Sequence, residues 1–322
     1  MIDNAAHSAN LDSVEHVLRD ELAHGDAAAE TVLPILTHLL ASDDNSLFSD
    51  EIIARVRGMV NDLAVQLLDE LSLAAGEEER VEHAADEIAG LTDSFIHNPS
   101  LLSHIHALAL EWQLTERMQG RLSLDAVLSP LIQALIASRD DETATLAMQV
   151  LASQARFCQA QRRMKLPLTE LPGDLLHSVL VSMRAVAGIE LAVDQCAAKA
   201  ESKIRAGYDE TLTRIGMISR LVTSMGSAAI AALSIDHAGV AIFVTALAIG
   251  SGQERDAAVQ STNEAQAGRL ALSLRSAGLT PSGVEEQFLA LHPDVCLPEG
   301  FDRIDADRAA AILADARGYE GG

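Results

Sequence analysis

The chain repeats itself. The segment Leu33-Pro34-Ile35-Leu36-Thr37-His38-Leu39-Leu40-Ala41-Ser42-Asp43-Asp44 is echoed by Ser129-Pro130-Leu131-Ile132-Gln133-Ala134-Leu135-Ile136-Ala137-Ser138-Arg139-Asp140. Each places a proline inside an apolar helical pattern, then an Ala-Ser step and an acidic turn. The echo predicts units of two helices, the first ending at the acidic turn before its partner folds back. Such units cannot bury their apolar faces alone, so they stack on their neighbours. The expected fold is all-α: antiparallel helix pairs, roughly fourteen helices in all by their apolar spacing, stacked into a HEAT-like α-α superhelix.

Composition agrees with helices. Of 322 residues 48% are hydrophobic but only 3% aromatic, so the core must be mainly Ala, Leu, Ile and Val. Sandwiches and barrels of strands favour aromatic and β-branched residues instead. The formal charge of −24 is unevenly spread. Residues 1–100 hold 21 acids and 4 bases, 101–207 hold 11 of each, and 208–322 hold 15 and 8. The natural division is an acidic helical portion over 1–120 and a helical-repeat portion over 121–322. An acidic first third repels phosphate backbones, which argues against nucleic acid as a partner.

Cys158, Cys196 and Cys296 are odd in number and without metal or redox spacing, as expected of buried, reduced thiols in a cytoplasmic protein. The first residues lack the basic start and apolar stretch of a secretory signal. The apolar stretch 226–250 is split by Asp236 and His237 into halves of roughly ten residues, too short to cross a bilayer of ~30 Å. It reads as two buried helices, 228–235 and 240–249.

Helical spacing of apolar residues marks faces over 14–22, with Asp12 as cap, over 32–40 and over 52–68, opened by Ser49-Asp50-Glu51. Further helices are expected at 77–96, 101–118, 124–136, 146–164, 175–186, 191–206, 211–223, 254–277, 284–291 and 306–317. Pro167 and Pro172 make the segment 166–173 the clearest non-helical stretch, either a hinge or a corner between packed helices.

Two segments, 161–172 (Gln161-Arg162-Arg163-Met164-Lys165-Leu166-Pro167-Leu168-Thr169-Glu170-Leu171-Pro172) and 236–248 (Asp236-His237-Ala238-Gly239-Val240-Ala241-Ile242-Phe243-Val244-Thr245-Ala246-Leu247-Ala248), together resemble the bacterial domain-of-unknown-function family 2336. The second matches a small-residue turn followed by an apolar, Phe-containing helix, with Val244 where relatives often carry an acid. The resemblance covers about the last two thirds of the chain. It implies stacked helical hairpins and no established activity.

Catalytic spacing is missing. His104 and His106 lie about 200° apart around a helix and cannot face one metal, and Pro99 separates His97 from both. Glu79, Glu82, His83 and Glu87 offer i,i+4 pairs suited to surface charge, without the Glu-x-x-His spacing of a di-iron bundle. Gly250-Ser251-Gly252 follows no strand and precedes no lysine, so it is not a phosphate loop. Asp236 and His237 are flanked by apolar helices and are the candidates for a pocket; as a helix cap, Asp236 has a simpler role. The strongest basic concentration is Arg156, Arg162, Arg163 and Lys165, which suits an acidic partner or, structurally, the C-terminus of a helix.

These observations predict a non-enzymatic, cytoplasmic protein-interaction or regulatory scaffold that uses no cofactor and whose partner is another protein. The alternatives are a small-molecule-responsive regulator with a pocket near 228–249, and an enzyme with an unrecognised helical site.

Overall fold

The computed structural model describes residues 2–41, 51–76, 83–187 and 191–319. Among them the chain is all-α, without a strand. The helices are α1 (Ile2–Ala41), α2 (Glu51–Ala75), α3 (Ala85–Ile96), α4 (Pro99–Leu122), α5 (Pro130–Ile136), α6 (Asp141–Arg162), α7 (Gly173–Ala187) and α8 (Leu191–Ala206). They continue as α9 (Arg214–Ser224), α10 (Ile235–Ala238), α11 (Val240–Ser251), α12 (Arg255–Gln260), α13 (Ala267–Ser276), α14 (Pro281–Leu291) and α15 (Ala306–Tyr319), with short 3-10 turns between some of them. The expected starts at Ser49 and Glu77 fall outside the described residues; α2 is described from Glu51.

Several expected boundaries move. The two helices read over 14–22 and 32–40 are one 40-residue helix, α1, with Asp12 and Pro34 in its interior. Between them lies Gly25-Asp26-Ala27-Ala28-Ala29, where three alanines outweigh one glycine, since alanine is the best helix former and glycine costs about 1 kcal/mol. Pro130, by contrast, opens the seven-residue α5 at its first position, behind the Ser129 cap. The two proline segments therefore occupy unlike settings, and the local equivalence expected from their echo does not hold. The helix expected from 124 starts late because the Asp125 carboxylate accepts the Val127 and Leu128 amides at 2.7 and 2.8 Å, fixing a turn.

The helix expected over 254–277 is broken in the same way. Ser261 and Thr262 hydroxyls bond back to the Ala258 and Val259 carbonyls, and Asn263 accepts the Ala265 amide, so side chains compete with the helical ladder. The first half of the apolar stretch forms a 3-10 segment, Gly226–Leu233, and the four-residue α10 rather than one helix. No single helix among the described residues is long and apolar enough to cross a membrane.

The chain divides into two compact units. The first comprises Met1–Val32, Leu110–Leu151 and Ile218–Gly322; the second comprises Leu33–Ala109 and Ala152–Met217. Unit 1 is built around α11, whose residues Val240–Ala248 are all buried and which packs against α12 and α13. Gly239, at φ +75°, turns α10 into α11 with Ser129 Cβ only 3.1 Å from where its own Cβ would stand. A buried ion pair, Arg255 with Glu111 at 2.9 Å, is steadied by Thr245 Oγ1 accepting from Arg255 Nε. The N-terminal part of α1 is fastened by Glu15 to Arg308, Arg19 to Asp315 and Asp26 to Arg269.

Unit 2 centres on α2, which buries Val56, Met59, Val60, Leu63, Ala64 and Leu67 against α3 and α8, while α7 packs on both of those helices. Polar links add register: Ser94 to Ser182 at 2.9 Å and Lys203 to Glu70 at 2.7 Å.

Candidate functional site

In unit 2 the basic cluster lies at the end of α6 and in the corner that follows. The helix closes with the Arg163 and Lys165 amides both donating to the Ala160 carbonyl, and Met164 takes φ +54°, the left-handed state that ends helices. That conformation is costly for a residue with a side chain and must be held by its surroundings. What holds it is α2. At Gly58 a Cβ would lie 2.7 Å from Met164 Cβ and 2.9 Å from the Met164 carbonyl oxygen, so only glycine lets α2 come this close.

One and two turns on from Gly58, Asp62 and Gln66 grip the main chain of the proline corner. Asp62 Oδ2 accepts the Leu166 amide at 3.1 Å; Gln66 Nε2 donates to the Leu166 carbonyl at 2.8 Å and Gln66 Oε1 accepts the Leu168 amide at 3.0 Å. Gln66 Nε2 also reaches Asp62 Oδ2 at 2.8 Å, linking the two gripping side chains. Leu166, Leu168 and Leu171 are buried, so each side of the corner is fixed, its backbone by polar groups and its side chains by packing. Of the two sequence readings, hinge or corner, the geometry is that of a pinned corner. Arg55, nearly fully buried on α2, adds a donor to the Gln161 carbonyl at the end of α6 and an ion pair with Glu51 at 2.7 Å.

The four basic candidates separate into two kinds. Lys165 Nζ pairs with Asp62 Oδ1 at 3.0 Å and so belongs to the grip itself. Arg156, Arg162 and Arg163 are exposed and form no ion pair among the described residues. Behind them, Arg214 is 1% exposed, stacked 3.6 Å from the centre of the Phe157 ring and donating to Gln154 Oε1. Its backbone amide donates to Glu170 Oε2 of the same corner at 3.2 Å. Arg55, Arg214, Asp62 and Gln66 escape a reading of the sequence because isolated polar residues on amphipathic helices look like solvent-facing ones. The usable signal was Gly58 in the middle of the strongly apolar α2 pattern.

The other candidates do not come together. Asp236 is exposed and accepts from Ser234 Oγ, while His237 is half-buried. Three cavities of unit 1 are lined by other residues. His104 is buried; His83 pairs with Asp69 at 2.8 Å, and Glu79 and Glu82 lie outside the described residues. Among the described residues no group of three His, Cys, Asp or Glu side chains is placed to hold a metal ion. His292 is buried beside Phe288, and burial first, then the Arg117 charge, lowers its pKa from the ordinary histidine value. No protein-family model matches the chain, and no curated protein and no solved structure matches it either.

Proposed function

We propose that the chain is a non-catalytic interaction protein of the cytoplasm that holds an acidic protein partner on the corner bearing Arg156, Arg162 and Arg163. One observation carries this reading: three arginines stand exposed and unpaired among the described residues of a chain whose net charge is −24. In so acidic a molecule carboxylates to pair with are abundant, and arginine left without one is free for planar, two-pronged recognition of a carboxylate. The pinned corner supports the same reading, because a rigid platform lowers the entropy lost on binding. Three cysteines without a disulfide fit a reducing compartment. The reading rests on this surface and needs no repetition of helical units.

The test is charge reversal at Arg162 and Arg163 together. Exposed substitutions away from packed features change stability by about 0.5 kcal/mol or less, so the melting temperature of R162E/R163E should stay close to that of the parent. Capture from cell extract, compared between parent and variant, should lose an acidic protein in the variant. Identical captured sets, or a large fall in melting temperature, would refute the reading.

A further inference from the structure

Unit 1 carries a surface of the opposite character. Two open cavities of about 450 and 470 Å3 share Phe288, Val295, Cys296, Leu297 and Pro298 in their walls, which makes them adjoining parts of one trough. Its walls are largely apolar: Ala267, Gly268 and Ala271 line one part, Leu289 and Pro293 the other. Leu289 is 70% exposed, the most exposed large apolar side chain among the described residues. Exposed apolar surface collected in a concave, polar-rimmed site marks a place of contact.

The rim is acidic throughout. Asp20, Glu21 and Glu264 edge the first part, Glu285, Glu299 and Asp302 the second. Neither part is lined by lysine or arginine among the described residues, and the one basic group in the walls is His24. Asp20 has His16 at 3.4 Å and Glu264 faces Arg117, but Glu285, Glu299 and Asp302 form no ion pair among the described residues. Such a rim repels phosphate and carboxylate ligands. A small inorganic cation would have no use for the leucine and phenylalanine.

We propose that this trough docks a basic amphipathic peptide segment of another protein, with its apolar side chains on Phe288, Leu289, Val295 and Leu297 and its lysines or arginines against the carboxylate rim. Two adjoining cavities, each already in the range of about 300–1,000 Å3 that holds a small ligand, give the length a peptide needs. Charge complementarity of this kind raises the rate of encounter and selects the partner, while apolar anchors supply most of the affinity. The site is separate from the arginine corner of unit 2 and stands or falls without it.

Cys296 lies exposed in both walls while Cys158 is buried, so a Cys196→Ser protein offers one accessible thiol inside the trough. The rate of its alkylation by N-ethylmaleimide is measured with a short synthetic peptide of alternating leucine and lysine, with the same peptide carrying glutamate for lysine, and with spermidine. The lysine peptide at saturation should slow alkylation about tenfold or more, an occupancy that corresponds to at least 1.4 kcal/mol. The glutamate peptide and spermidine should leave the rate unchanged.

Leu289→Asp separates docking from bulk attraction, because it removes an anchor yet adds negative charge. Its affinity for the lysine peptide should fall about tenfold or more, with melting temperature unchanged as befits an exposed side chain. Equal or tighter binding by L289D, unhindered alkylation with the lysine peptide, or equal protection by spermidine would each overturn the proposal.

Discussion

A Cβ built on Gly216, in the first turn of α9, would fall 2.1 Å from the Glu210 carbonyl oxygen and 3.0 Å from Thr213 Oγ1. Both neighbours are fixed, since the Thr213 hydroxyl donates to that same carbonyl at 2.8 Å and accepts the Gly216 amide at 3.0 Å. Gly120, also helical, has nothing within 4 Å of its added Cβ. The same substitution should therefore have opposite signs. Gly216→Ala forces main chain apart and should lower stability by about 1–3 kcal/mol, as overpacking does. Gly120→Ala gains helix propensity and should raise it by up to about 1 kcal/mol. Urea denaturation midpoints of the two variants against the parent check both. Nothing in the sequence around either glycine tells them apart, because the difference lies in a turn folded back upon α9.

The two prolines pose the same question for whole helices. Pro34 sits exposed inside α1, where it removes one helical hydrogen bond and crowds the carbonyl of Glu30. Pro130 sits at the first position of α5, where its missing amide is no loss. Pro34→Ala should stabilise the protein by roughly 1–3 kcal/mol, whereas Pro130→Ala should cost less than about 1 kcal/mol. Thermal melts of the pair measure the contrast, and equal shifts would mean that the two segments are equivalent after all. Here the limits of the sequence are plain. Helices with long apolar stripes and clean ends, such as α2, α6, α7 and α8, were legible from spacing alone. The junctions were not: an alanine run joined what a glycine looked ready to separate, and Ser261, Thr262 and Asn263 cut what spacing joined. The arginine corner was visible as composition, but the grip of Asp62 and Gln66 on it was not, because those contacts run between residues about a hundred positions apart.

Taken whole, the molecule carries 47 acidic and 23 basic side chains, an excess of 24 negative charges that no arrangement of ion pairs cancels. Compaction brings these together, and the unfolded chain relieves the repulsion by expanding. Added salt should therefore stabilise: the melting temperature should be higher in 0.3 M than in about 0.02 M sodium chloride, where the screening length grows past 10 Å. A fall with salt would mean that attractive pairs such as Arg308–Glu15 and Arg255–Glu111 outweigh the repulsion. Inside each unit, charge is spent on fastening: α1 is tied to α13 and α15 by three such pairs.

Among the described residues, the bonds by which Asp62 and Gln66 hold the bend run to its amides and carbonyls, apart from the ion pair with the lysine that closes it. Main-chain atoms are the same whatever residue bears them. The three outward arginines can accordingly be exchanged without loosening their mount, which leaves the electrical character of this face open to retuning by single substitutions while the architecture beneath it stays put.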